Sequence, residues 1–315
     1  MRAKHKVLIV GFGDIGKRVA RLLPKSYQIH ALVRNSPGIG RARRLGVQTI
    51  AGDLSRRYRL CNLADRFDTV FHFAPPPVSG RRDGHTRNLL KALAPARLRP
   101  AMLTRRAAGR IVYISTTGVY GDQAGAWVDE STRVAPSSPR ALRRVDAERA
   151  IAGFGKRHRI DTFILRAPGI YSSDRLPIER IAKGMPALVE VEDVFTNHIH
   201  ADDLANLCVL AMKSRQPGLL VNTVDDSEMC MGEYFDAVAD AFGLPRPPRV
   251  TRDEAKRTLS PAMFSFMQES RRIRNSRLKR RLKAKLMYPT VGTLLAQLEP
   301  ACSESVLASK LAFDR

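Results

Sequence analysis

Apolar residues fall along this chain in two rhythms. Short continuous runs, beginning with Val7 to Val10, are followed by longer stretches in which apolar positions recur every three or four residues, as Ile15, Val19, Leu22 and Leu23 do. The first rhythm belongs to a strand buried on both faces, the second to an amphipathic helix. Runs of the first kind return at 27–33 (YQIHALV), 47–53 (VQTIAGD), 68–74 (DTVFHFA), 109–115 (GRIVYIS) and 159–167 (RIDTFILRA), with helix-length segments such as RRDGHTRNLLKAL between them. This alternation predicts an α/β chain with parallel strands, crossover helices and a doubly wound sheet. From residue 168 the pattern loosens into a strand VFTNHIH, a helix ADDLANLCVLAMKS that Asp202 and Asp203 are expected to cap, a strand GLLVNTV and a helix MGEYFDAVADAFG. The expected division is a larger α/β unit over 1–167 and a smaller C-terminal α/β lobe over 168–315.

Between the first strand and the first helix stand Gly11, Gly13 and Gly16. G-x-G-x-x-G in a strand, turn and helix context leaves backbone room for a diphosphate at a helix N-terminus, so the sheet is expected to be Rossmann-like and the turn, with Asp14 and Ile15, to cradle a dinucleotide. The residue that reads the adenosine ribose lies about 20 positions on, where an acid would suit NAD. Here the position holds Arg34, followed by Asn35, Ser36, Arg41, Arg43 and Arg44. A guanidinium is a fixed-charge, multidentate phosphate donor, so NADP is preferred to NAD. Asp53, after the third strand, either contacts the adenine end or caps the next turn. Ala74 and Pro75, ahead of Pro76 and Pro77, form a stiff wall expected beside the cofactor, and His72 closes the strand before it.

Charge changes the picture at one place. Lysine and arginine number 54 against 30 acids, and nine of the fifteen residues at 271–285 (RRIRNSRLKRRLKAK) are basic. Ile273, Leu278, Leu282 and Leu286 punctuate this stretch at near-helical spacing, which predicts an amphipathic surface helix. Few aromatics interleave with it and no nucleic-acid module accompanies it, so nucleic acid is not the expected partner, although the field favours anionic ligands. No apolar run reaches the length of a membrane span. Cys61, Cys208, Cys230 and Cys302 include no C-x-x-C pair, and free thiols in a cytoplasmic protein are expected.

Several of these segments, taken in order, resemble a known family: GFGDIG, IVYISTTGVYGD, SSPRALRRVDAERAI, ILRAPGIYSSDRLPIERI and TNHIHADDLANLCVLAM. From about Lys6 to Pro289 the chain is similar to the extended short-chain dehydrogenase/reductases of the NAD-dependent epimerase/dehydratase group. The resemblance implies a Ser or Thr that polarises a substrate carbonyl or hydroxyl, a Tyr that passes the proton, and a Lys four residues later that lowers the Tyr pKa. It puts the hydroxyl role on Thr116, with Ser115 and Thr117 beside it, and it implies a homodimer through a pair of helices. The tyrosine position holds Arg140 and the lysine position Arg144. None of the seven tyrosines is followed four residues later by lysine.

Arginine keeps its protons at any working pH, so Arg140 cannot act as the acid, while both arginines suit an anionic or nucleotide-linked small-molecule substrate. Tyr120, His200 and water are the remaining candidates for the proton. His198 and His200 share one strand face, but without a third ligand at metal spacing no metal is expected. The resulting expectation is an oxidoreductase with an atypical site. A non-catalytic, NADP-reporting binder is the alternative.

Overall fold

The computed structural model describes residues 4–60, 63, 64, 66–94 and 109–298. Seven parallel strands form its centre: β1 (Lys6–Val10), β2 (Gln28–Val33), β3 (Gln48–Ala51), β4 (Thr69–His72), β5 (Arg110–Thr116), β7 (Asp161–Ala167) and β12 (Leu219–Asn222), in the order β3-β2-β1-β4-β5-β7-β12. The order reverses between β1 and β4, and a crevice opens there at the carboxyl ends of the strands. Residues on both sides of position 168 contribute to this sheet.

Strand alternation sends Val7 and Ile9 to one face and Leu8 and Val10 to the other, and all four are buried. The first face packs under helices α1 (Asp14–Leu22), α2 (Ser36–Arg43) and α6 (Ala201–Lys213). The second packs under α3 (Gly84–Leu93) and α4 (Pro139–His158), through Leu89, Leu90 and Leu93 on one and Ala147, Ile151 and Phe154 on the other. Helix α4 begins where its local chemistry says it should. The Ser138 side chain accepts from the Ala141 amide at 3.2 Å, and Pro139 takes the first position, where no amide is needed.

Short pairs build the region beside the crevice: β6 (Trp127–Val128) with β15 (Arg272–Ile273), β8 (Gly169–Tyr171) with β11 (His198–His200), β9 (Ala187–Leu188) with β14 (Arg249–Val250), and β10 (Phe195–Thr196) with β13 (Met229–Cys230). Around them α5 (Ile178–Ala182), α7 (Met231–Ala241) and α11 (Val291–Leu295) enclose an apolar cluster, and α8 (Arg252–Thr258) and α9 (Pro261–Ser265) a smaller one. Helix α10 (Ser276–Leu282) lies along the β12 edge of the main sheet. No helix among the described residues is long and apolar enough to cross a membrane.

Three expectations are corrected. VFTNHIH is two strands, because Asn197 breaks the run: its side chain accepts from the Ile273 amide and donates to the Arg271 carbonyl. The basic stretch 271–285 is helical only over Ser276–Leu282. Its first residues pair as β15, and Ile273 is buried there as a strand residue. Helix α6 is capped by His200, whose Nδ1 accepts from the Asp202 amide at 3.2 Å, and not by Asp202 or Asp203. Asp203 instead receives the amides of Met287 and Tyr288, at 2.7 and 2.9 Å, and ties the later chain to α6. Cys208 and Cys230 are free thiols; Cys61 and Cys302 lie outside the described residues.

Just past β12, Asp225 is 4% exposed and accepts from the Ser227 amide at 3.0 Å. Burial, reinforced by nearby Asp226, pushes its carboxyl up to about 7. A raised folded-state pKa means that the folded chain binds the proton more tightly than the unfolded one between the ordinary carboxylate range and pH 7. Stability therefore falls as pH rises through that window. Asp225→Asn is expected to raise the melting temperature at pH 8 by more than at pH 5; a gain that does not grow between the two would show that the carboxyl is not held protonated.

Candidate active site

The glycine turn is built by close contact at two positions and by open space at the third. At Gly11 φ is +92°, and a Cβ there would stand 2.4 Å from the Ala74 amide nitrogen, a backbone atom with nowhere to go. That closeness follows from the Val10 carbonyl, which accepts from the amides of Phe73 and Ala74 at 2.7 and 3.0 Å. Gly16 lets α1 lie on β1, since a Cβ there would meet the Gly11 carbonyl oxygen at 2.8 Å. Gly13 caps α1 without any side-chain bond, and a Cβ there would find nothing within 4 Å. The space beside Gly13 is open, and the first amides of α1 have no partner within their own helix. This is the cradle a dinucleotide diphosphate requires, and these residues fit it.

The neighbours of the turn divide their work. Ile15 packs into the core with Val19. The Asp14 carboxylate is held by Arg18 at 3.0 Å and Arg175 at 3.5 Å, and Arg18 also reaches Asp202 at 2.5 Å. Asp14 is thereby neutralised within the chain and does not leave a free negative charge at the helix N-terminus.

At the end of β2, Arg34 is exposed and forms no salt bridge among the described residues. Asn35 caps α2, its Oδ1 accepting from the Gly38 amide at 3.1 Å. Asp53 takes the turn-capping role of its two readings: Oδ1 accepts from the Ser55 hydroxyl and amide at 2.8 and 2.9 Å. These bonds, with Arg34 and Arg56 nearby, hold its carboxyl below the usual range.

At the end of β5 the hydroxyls separate. Thr116 Oγ1 accepts from the Gly118 amide at 3.2 Å, which leaves its proton available. Ser115 points the other way and donates to Glu148 Oε1 at 2.6 Å inside the protein. Tyr120 is fully buried and donates to Asn222 Oδ1 at 2.8 Å, and burial raises its pKa. His200 is 3% exposed, its ring lies 3.7 Å from that of Tyr288, and burial depresses its pKa. His72 is buried against Thr86 Oγ1 at 2.8 Å, with its pKa driven down to about 3 by burial and the nearby Arg144. The Pro75 carbonyl accepts from the His85 ring at 3.0 Å, which pins the proline wall to α3.

Three arginines occupy the first turns of α4. Arg144 is 8% exposed and donates to the Tyr113 hydroxyl at 2.9 Å and the Ile114 carbonyl at 3.0 Å. Arg143 is 6% exposed and donates to the Gly80 carbonyl at 2.6 Å. Arg140 is exposed, and partial desolvation together with repulsion from Arg144 and Arg143 lowers its pKa. None of the three forms a salt bridge among the described residues, and the buried Nε of both Arg143 and Arg144 lacks a hydrogen-bond partner. The two buried guanidiniums are thus met by neutral oxygens alone.

The model of the family described as NAD dependent epimerase/dehydratase matches residues 7–222, from the glycine-turn strand to the end of β12. The chain belongs to that family. Over 130 residues it is 26% identical to a dTDP-glucose 4,6-dehydratase of Streptomyces niveus, a match covering 41% of this chain and 38% of that protein. The shared stretch is thus well under half of the relative's length. A solved structure of a functionally unknown conserved protein from Silicibacter pomeroyi DSS is similar over 94% of this chain and all of its own, with TM-score 0.73 and 27% identity. The fold is shared as well with a UDP-glucuronic acid 4-epimerase from Bacillus cereus, solved with NAD, at TM-score 0.69 and 17% identity over 96% of this chain and 99% of that one.

In this epimerase/dehydratase chain the groups around Thr116 are held by residues that the sequence reading did not single out. Glu148 on α4 receives Ser115 and also a bidentate pair from Arg166 on β7, at 3.0 and 2.7 Å. The Arg166 guanidinium lies 4.8 Å from the centre of the Tyr120 ring. A charge inside the apolar run FILRA and an acid on the inner face of α4, three residues before Ile151, were the available signals, each needing the other to be read.

Proposed function

We propose that the chain is an NADP(H)-dependent oxidoreductase of the epimerase/dehydratase type, acting on an anionic or nucleotide-linked small molecule. The observation that carries the reading is the open space beside Gly13, framed by Gly11 and Gly16 at the start of α1. When bound there, the dinucleotide supplies the hydride acceptor or donor. Arg34 would hold the 2′-phosphate. Thr116 would orient a substrate oxygen through its free proton, and Arg140 and Arg144 would clamp the substrate's anionic group. Neither arginine can transfer a proton, Tyr120 donates its own to Asn222, and His200 uses Nδ1 as a helix cap, so we assign proton transfer to solvent.

Calorimetric titration tests the coenzyme part. NADPH is expected to bind at least roughly tenfold more tightly than NADH, about 1.4 kcal/mol, and Arg34→Glu to erase that difference. Tighter binding of NADH to the unaltered protein would overturn the preference, and absence of binding by either would overturn the whole reading.

Arg140 and Arg144 also favour a second reading, a non-catalytic protein that reports NADP occupancy to a partner. Incubating the NADPH complex with carbonyl and nucleotide-sugar substrates separates the two. Consumption of NADPH by a carbonyl, or conversion of a nucleotide sugar by the NADP+ complex with no net change in the coenzyme, supports the enzyme, and tight binding with no turnover of either kind supports the reporter.

A further inference from the structure

We infer that a second anion site, for a phosphorylated small molecule, lies at the β12 edge of the sheet, away from the dinucleotide crevice. A cavity of about 710 Å³ opens there, lined by Gln216, Pro217, Gly218, Leu219 and Leu220 on one side and by Arg277, Arg280 and Arg281 of α10 on the other. The arginines stand at i, i+3 and i+4, so one helix face presents all three. Their direction is fixed from behind. Leu278 and Leu282, on the opposite face of α10, are buried in the main core. The facing wall is tied in place by Gln216, whose side-chain amide donates to the Arg281 carbonyl at 3.2 Å.

Charge at this cavity is only partly compensated. Arg277 lies 3.4 Å from Glu130, but no carboxylate lines the cavity, and neither Arg280 nor Arg281 forms a salt bridge among the described residues. Guanidinium groups in such a cluster bind phosphoryl oxygens through several charge-assisted hydrogen bonds. The volume suits a ligand of nucleotide size, and Pro217 and Leu220 offer apolar surface to its body. A concave site with an apolar wall, lacking an aromatic ring to stack a base, fits a discrete small molecule better than a nucleic-acid strand.

Inorganic tripolyphosphate is the probe, titrated at low ionic strength into the full chain and three variants. Arg280→Glu with Arg281→Glu is expected to weaken binding at least roughly tenfold, and Arg280→Gln with Arg281→Gln to weaken it less, while both keep the melting profile of the parent because these side chains are exposed. Arg34→Glu, at the dinucleotide crevice, is expected to leave the same binding in place. Equal affinity in the parent and the glutamate pair would overturn the site, as would a loss confined to Arg34→Glu. A random-sequence DNA duplex that bound more tightly than tripolyphosphate, and lost that binding in the glutamate pair, would replace it with a nucleic-acid surface. The glutamine pair keeps the test decisive should charge reversal disturb α10.

Discussion

Gly13→Val is expected to yield a folded protein that has lost roughly a hundredfold or more of its NADPH affinity, because the added side chain fills the space where the diphosphate would meet the first amides of α1. Nothing within 4 Å opposes a Cβ at this position, and the backbone at φ −86° is open to any L-residue, so the fold has no reason to change. Gly11→Ala is the contrasting case. Its Cβ would stand 2.4 Å from the Ala74 nitrogen and 2.7 Å from the Phe73 carbonyl carbon, at φ +92°, and two backbone segments held together through the Val10 carbonyl would have to part. Loss of soluble, cooperatively melting protein is the expected result. Circular dichroism melts and calorimetry on the two variants separate the effects. If Gly13→Val bound NADPH like the parent, the assignment of this turn to the dinucleotide would fail.

A large loss of stability in a protein that still folds is expected from a change at Glu148. Arg166 and Glu148 are 6% and 8% exposed and form a bidentate pair, and Ser115 donates to the same carboxylate. Glu148→Gln keeps the shape but removes the countercharge, stranding a guanidinium in the interior. Breaking a buried pair from one side costs roughly 3–5 kcal/mol, which in a chain of this size corresponds to a melting temperature lower by about 5–8 °C. Removing the arginine as well, in Glu148→Gln with Arg166→Met, should restore a substantial part of the loss, since no unpaired charge then remains. A double variant as unstable as the single one would show that the pair itself, rather than the stranded charge, holds β7 to α4.

Much of the site was legible from residues near one another in the chain. The glycine turn could be placed because a strand, three glycines and an amphipathic helix follow within a few residues, and because steric limits on backbone approach are local. Ser138 and Pro139 marked the start of α4 for the same reason. Where the reading missed, the deciding contact came from far along the chain. The run VFTNHIH is interrupted by Asn197 because residues 271 and 273 pass beside it, and His200 caps α6 while Asp203 is drawn away to the amides of Met287 and Tyr288. The basic stretch at 271–285 looked uniformly helical by spacing, yet pairing with Trp127 and Val128 claims its first residues as a strand.

By itself, then, the sequence determined the strand and helix order, the parallel doubly wound sheet, the glycine turn between β1 and α1 and the presence of arginines where the family resemblance puts a tyrosine and a lysine. Only the tertiary structure decided which side chains are spoken for: Ser115 by Glu148, Tyr120 by Asn222, His200 by its own helix, and Arg143 and Arg144 by neutral oxygens alone. The physical reason is that periodicity and turn chemistry act between near neighbours. His200 apart, whose cap is local, the choice of these partners depends instead on residues tens to over a hundred positions apart, which meet only when the sheet is assembled.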